Sequence, residues 1–126
     1  MVPLAVIMNR DVKKISPDAK IRELAQLMRD KKIGSALVEQ VDDYIGIVSE
    51  TDLVRKGLAE GLNPDEATVR QVMSSPIITI DINRTVADAN DLMAKRAIRH
   101  LPVTELGKIV GIISVRDLVI CFKNKF

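Results

Sequence analysis

The sequence predicts an α+β fold, two β-α-β-β-α repeats packed about a pseudo-twofold axis. Three observations carry that prediction. The chain matches itself without a gap at an offset of 65 residues. Each half alternates short β-branched runs with stretches of helical apolar spacing. A Gly61-Leu62-Asn63-Pro64 break, with glycine placed to end a helix and Asn-Pro to start a turn, separates the halves. The repeats are therefore 1–62 and 63–126. Each is too small to bury much surface alone, so the pair is the folding unit.

The offset aligns Met8 with Met73, Ile15 with Ile80, Leu27-Met28 with Leu92-Met93, Ile33 with Ile98 and Val38 with Val103. It also pairs Gly46-Ile47 with Gly111-Ile112, Ser49 with Ser114, and Asp52-Leu53-Val54 with Asp117-Leu118-Val119. The polar matches are the informative ones. Shared patterning explains recurring Ile or Val, whereas Gly, Ser and Asp at one spacing imply the same turn built twice.

Val12–Ile15 and Ile77–Ile80 are short and β-branched, which predicts marginal strands. A helix follows in each half. In the first, Ser16-Pro17 offers an N-cap and a first-turn proline, and Ile21, Leu24, Ala25 and Met28 form one apolar stripe. In the second, Val86, Ala89 and Met93 form the equivalent stripe. Next come strands at Ala36–Val38 and Leu101–Val103, turns at Asp42-Asp43 and Gly107-Lys108, and strands at Tyr44–Val48 and Ile109–Ile113. Strands this close predict hairpins. Closing helices begin near Glu50 and Val115.

Composition narrows the function. With 126 residues there is no room for a large multidomain enzyme, and 47% apolar content argues for a folded chain. A formal charge of +2 gives little drive for nonspecific nucleic-acid binding. Tyr44, Phe122 and Phe126 are the only aromatics, which disfavours base stacking. One histidine, His100, and one cysteine, Cys121, leave no set for a structural zinc and fit a reducing cytoplasm. No apolar run approaches the roughly 20 residues that span a bilayer, and Val2–Met8 lacks the features of a signal peptide. The expectation is a cytoplasmic, unprocessed protein without a membrane span. His100 has no nucleophile or reacting partner in view, so catalysis is not expected.

Each Gly46-to-Asp52 and Gly111-to-Asp117 segment carries a strand into a helix start. Two jobs are open to their hydroxyls and carboxylates. One is capping, with Ser49 or Ser114 accepting from free N–H groups and the aspartate opposing the helix dipole. The other is to hold a ribose diol at the mouth of a cleft. The two can coexist.

Taken together, Val72-Met73-Ser74, the run from Ile98 through Arg99, His100, Leu101 and Pro102 to Val103, and the two Gly-to-Asp-Leu-Val segments resemble a tandem pair of cystathionine-β-synthase (CBS) domains, a Bateman module. The likeness covers nearly the whole chain. It implies a regulatory module whose clefts between repeats bind an adenosine-containing ligand, AMP, ADP or ATP ahead of NAD or S-adenosylmethionine, with no catalytic cofactor. Asp52 and Asp117 match the family's ribose-binding aspartates, and Ser49 and Ser114 the neighbouring hydroxyls. Arg99, His100 and Arg116 fall where the family places basic side chains on phosphate, for which the guanidinium fork is suited.

The first repeat departs from this pattern. Gly34-Ser35 replaces Arg99-His100, Leu37 replaces Pro102, and Thr51 replaces Arg116. Unequal sites follow, with the Asp117 site the tighter and Ile33 and Lys13 contributing to it across the pseudo-twofold. Ile33, Ile77 and Ile98 are candidates for an aliphatic adenine wall, and plain core residues otherwise. Pro3–Val6, Leu53, Leu58, Leu118 and Val119 exceed what one small pair needs to bury, which predicts a homodimer; the resemblance implies a flat, disk-like one. A regulated protein would act in trans. A scaffold without ligand is the alternative reading, with nucleic acid behind it.

Overall fold

The computed structural model describes residues 2–125. In chain order the elements are α1 (Leu4–Ile7), β1 (Lys14–Ile15), α2 (Ile21–Lys31), β2 (Ser35–Gln40), β3 (Asp43–Ser49) and α3 (Glu50–Asp52), which runs on as a π-helical segment, Leu53–Leu58. After these come α4 (Val69–Val72), β4 (Ile80–Asp81), α5 (Val86–Arg96), β5 (His100–Glu105), β6 (Lys108–Ser114) and α6 (Val115–Lys125). The β-α-β-β-α order holds twice. In each half a helical crossover joins two parallel strands and a hairpin adds the third, giving sheets ordered β1-β2-β3 and β4-β5-β6.

The chain forms two compact units, a central one, Lys13–Ile77, and a terminal one that joins residues 2–12 to 78–125. These units are offset from a division at 62/63 because the first segment of each repeat packs with the other repeat's sheet. In the terminal unit Leu4 and Met8 join Ala89, Met93, Leu101, Val103, Ile113 and Leu118 in one core. Asn9 and Ile112 exchange backbone hydrogen bonds of 2.9 and 3.0 Å. In the central unit Val69 and Val72 join Leu24, Met28, Val38 and Val48. Ser74 and Ile47 exchange the equivalent bonds, 2.7 and 3.0 Å.

The two docked segments explain the repeated glycines. A Cβ on Gly46 would lie 2.9 Å from both the Met73 sulfur and the Ser74 carbonyl oxygen. On Gly111 it would lie 2.7 Å from the Met8 sulfur and 3.1 Å from the Asn9 carbonyl oxygen. Neither position needs a left-handed backbone; each needs the missing Cβ.

Several local expectations shift. β1 and β4 are two residues each, because only Lys14-Ile15 and Ile80-Asp81 pair with a neighbour. Ser16 and Pro17 do not cap α2; Ser16 Oγ accepts from Asp18 N within a turn, and the helix begins at Ile21. Lys20 occupies the cap position without a side-chain acceptor, so backbone carbonyls replace it: Ile21 N donates to Ala67 O and Arg22 N to Pro64 O, at 3.0 and 3.1 Å. Arg22 further grips Asp65 through two hydrogen bonds, fastening this segment to the helix. α5 has Thr85 at the cap instead, paired reciprocally with Asp88. Ala25 is exposed, with Leu27 closer to the core.

The hairpin turns sit one residue earlier than expected. Gln40 pairs with Asp43 and Glu105 with Lys108, so the central residues are Val41-Asp42 and Leu106-Gly107. All four have positive φ, the requirement of a two-residue turn matched to strand twist.

Candidate ligand site

The Ser-x-x-Asp segments stand at the C-terminal ends of β3 and β6, where a strand passes directly into a helix. In the terminal unit His100 pairs with Ser114 across the ladder, and Val115 N donates to Arg99 O at 2.9 Å. The first residues of β5 and the first turn of α6 therefore share one end of the sheet. Arg99, His100, Ser114, Arg116 and Asp117 are brought together there. The central unit repeats the geometry: Ser35 pairs with Ser49, and Glu50 N donates to Gly34 O at 3.0 Å. Gly34, Ser35, Ser49, Thr51 and Asp52 gather at the corresponding end. Lys13 is nearby in the fold, its carbonyl accepting from Leu37 N at 3.0 Å.

Both serines cap. Asp52 N donates to Ser49 Oγ at 3.2 Å while the Asp52 carboxylate accepts from Ser49 N at 2.9 Å. Asp117 N donates to Ser114 Oγ at 3.1 Å, and Ser114 N to the Asp117 carboxylate at 2.8 Å. These reciprocal pairs satisfy backbone donors that a helix start otherwise leaves open.

Beyond the caps the two carboxylates differ. Asp52 is buried, at 8% exposure. Its Oδ2 also accepts from Ser49 Oγ at 3.2 Å, and its Oδ1 accepts from Ser74 Oγ at 3.1 Å and Lys56 Nζ at 3.0 Å. Lys56 Nζ in turn donates to Ser74 Oγ at 3.0 Å, closing a triangle. Asp117 is half-buried and has only the cap bond among the described residues. The repeat offset places Cys121 where the central unit has Lys56, and Asn9 where it has Ser74. The Asn9 side chain is turned to its own backbone, accepting from Asp11 N at 2.9 Å.

Arg99 and Arg116 are exposed and form no ion pair among the described residues. Thr51 is exposed, His100 half-buried. Ile33 and Ile98 pack against the cores of their own units, as aliphatic residues ordinarily do, whereas Ile77 is half-buried outside both cores. Ile33 and Lys13 belong to the central unit and Asp117 to the terminal one. Ser74 and Lys56 were not anticipated as partners of Asp52. The Asp52-to-Lys56 spacing of a helical ion pair was the one signal available for Lys56.

The model of the CBS domain matches residues 5–59 and 69–124. The chain belongs to the CBS domain family. It is 39% identical over 120 residues to the uncharacterized protein MK0525 of Methanopyrus kandleri, covering 94% of this chain and 61% of that protein. The chain thus spans about three fifths of that relative's length. Among solved structures it superposes on a CBS-domain protein from Burkholderia ambifaria MC40-6 with a TM-score of 0.92 and 28% identity, over 96% of this chain and 93% of that one. The hexameric CBS-CP12 protein of bloom-forming cyanobacteria matches with a TM-score of 0.86 and 31% identity, over 94% of this chain and 70% of its own. This chain is a tandem pair of CBS domains, which are generally non-catalytic regulatory modules. Among the described residues no helix is long and apolar enough to cross a membrane.

Proposed function

We propose that this CBS pair senses an adenosine-containing ligand, AMP, ADP or ATP ahead of NAD or S-adenosylmethionine, through the Asp117 end of the terminal unit. The observation that carries the reading is that one end of one sheet gathers a carboxylate holding only its cap bond and two exposed guanidiniums without an ion pair, all among the described residues. A carboxylate offers about four acceptor positions, enough for both hydroxyls of a ribose after one is spent on the cap. Asp117 and Ser114 would take the diol; Arg99, His100 and Arg116 would take phosphate oxygens by charge-assisted hydrogen bonds.

Sensing requires that the nucleotide bind two conformations unequally, so the output is a shift in shape or in affinity for a protein partner. Self-association belongs to the same proposal. Val54 and Leu58 on the π-helical segment, and Val119, Ile120 and Phe122 on α6, are exposed apolar side chains suited to a second copy, and the CBS-CP12 relative is hexameric.

A scaffold without ligand is the second reading, favoured by the fact that both serines and both aspartates already serve as caps. Melting the purified chain against millimolar AMP, ADP, ATP, NAD, S-adenosylmethionine and GTP separates the two. Ligand at 100 times its dissociation constant adds about 2.7 kcal/mol, a shift of several degrees. The sensor reading expects that shift with adenine nucleotides and its loss in Asp117→Ala. No shift with any of the six leaves the scaffold.

A further inference from the structure

We infer that the first-repeat ribose site is closed by the chain's own side chains, Lys56 and Ser74, which hold the Asp52 carboxylate in place of a ligand's hydroxyls. This rests on the nucleotide reading above and adds to it a stoichiometry, one nucleotide per chain, and the residues that set it.

Counting acceptors decides the matter. The Asp52 carboxylate accepts from Ser49 N at 2.9 Å, Ser49 Oγ at 3.2 Å, Ser74 Oγ at 3.1 Å and Lys56 Nζ at 3.0 Å. Four donors fill the roughly four lone-pair positions of a carboxylate. A diol arriving at Asp52 would have to displace both the ammonium and the serine hydroxyl. Those two also bond each other at 3.0 Å, so removing one leaves the other with an unmet partner. The ammonium bond is charge-assisted, and a neutral ribose hydroxyl replaces it at a loss. Asp117 accepts only the cap bond from Ser114 N among the described residues, and Cys121 and Asn9 stand where Asp52 has Lys56 and Ser74.

The closing lysine is held by local structure. It lies four residues after Asp52, a spacing at which side chains on one helical face meet, and Cys121 stands at the same spacing after Asp117 on α6. Ser74 is delivered by the chain segment that docks on β3, its N–H and carbonyl bonded to Ile47. Closure therefore depends on that docking as well as on the lysine charge.

Equilibrium dialysis to saturation with labelled ATP and, separately, labelled AMP tests this. The expected counts for the nucleotide that binds are one per chain for the native protein, two for Lys56→Ala/Ser74→Ala, and none for Cys121→Lys/Asn9→Ser, which transplants the cover onto Asp117. Cys121→Met/Asn9→Ser, similar in bulk without the charge, is expected to keep one. Two per native chain, or one per chain in a folded Lys56→Ala/Ser74→Ala variant, overturns the closure and leaves the nucleotide reading standing. No binding of ATP or AMP to either of these proteins overturns the closure together with the AMP-or-ATP reading. Should Lys56→Ala/Ser74→Ala fail to fold, the transplant decides: a folded Cys121→Lys/Asn9→Ser chain that still binds one nucleotide refutes the closure.

Discussion

Gly46 and Gly111 occupy equivalent positions, yet what surrounds them differs in a way that sets the cost of an added methyl group. At Gly46 a Cβ meets the Ser74 carbonyl oxygen at 2.9 Å, on a residue whose backbone exchanges two hydrogen bonds with Ile47. At Gly111 the tightest neighbours are Met8 side-chain atoms, at 2.7 and 2.9 Å, and a methionine chain can turn aside. Overpacking typically costs about 1–3 kcal/mol. Gly46→Ala is expected in the upper part of that range and Gly111→Ala in the lower part, measured as urea midpoints. The reverse order would mean that the Met8 side chain is held as rigidly as the Ser74 backbone. The same contrast of equivalent positions applies at Asp52 and Asp117, where matching letters in the sequence acquired different neighbours from outside the motif.

Turns and caps are the elements where local chemistry and local geometry are least well matched. Leu106, 96% exposed, has a positive φ at the first central position of its hairpin turn, where Asn is preferred before Gly. Leu106→Asn creates an Asn-Gly turn and gives up no buried surface. It is expected to raise stability by roughly 0.5–1 kcal/mol, read from chemical denaturation. The cap of α5 supplies a pH dependence. Hydrogen bonds from the Thr85 backbone and hydroxyl, with Arg84 close by, hold the Asp88 carboxyl below its ordinary range. A folded-state pKa below the unfolded one means that this contribution is complete above the ordinary aspartate value and is lost as pH falls through the folded value. Comparing acid unfolding of the native chain with Asp88→Asn tests this: the difference between them should shrink steadily below about pH 4.

For the whole molecule, the consequential feature is that each repeat's leading segment completes the core of the other repeat's sheet. Leu4 is fully buried among Met93, Leu101, Val103 and Leu118, far along the chain from its own repeat. Leu4→Ala should cost about 2–5 kcal/mol. Hydrogen exchange should quicken first in β5 and β6, with β2 and β3 protected for longer; equal loss in β2 and β3 would place Leu4 in a core common to both sheets. The same packing corrects the interface expectation. Leu4 and Leu118 are core residues, while Val6, Leu58 and Val119 remain exposed and available to a partner.

By itself the sequence determined the repeat, its β-α-β-β-α order, the family and the grouping of Ser49 with Asp52 and Ser114 with Asp117, because these depend on spacing along the chain and on residues a few positions apart. The strand limits, the turn centres and the start of α2 were decided by long-range backbone pairing, as when Pro64 and Ala67 carbonyls stand in for the side-chain cap that Lys20 lacks. Only the tertiary structure decided which sheet receives which leading segment, since a perfect 65-residue offset fits either arrangement equally well. That docking brought Ser74 onto Asp52, 22 residues away, so that of two matching Ser-x-x-Asp motifs one has a covered carboxylate and the other, among the described residues, only its cap bond.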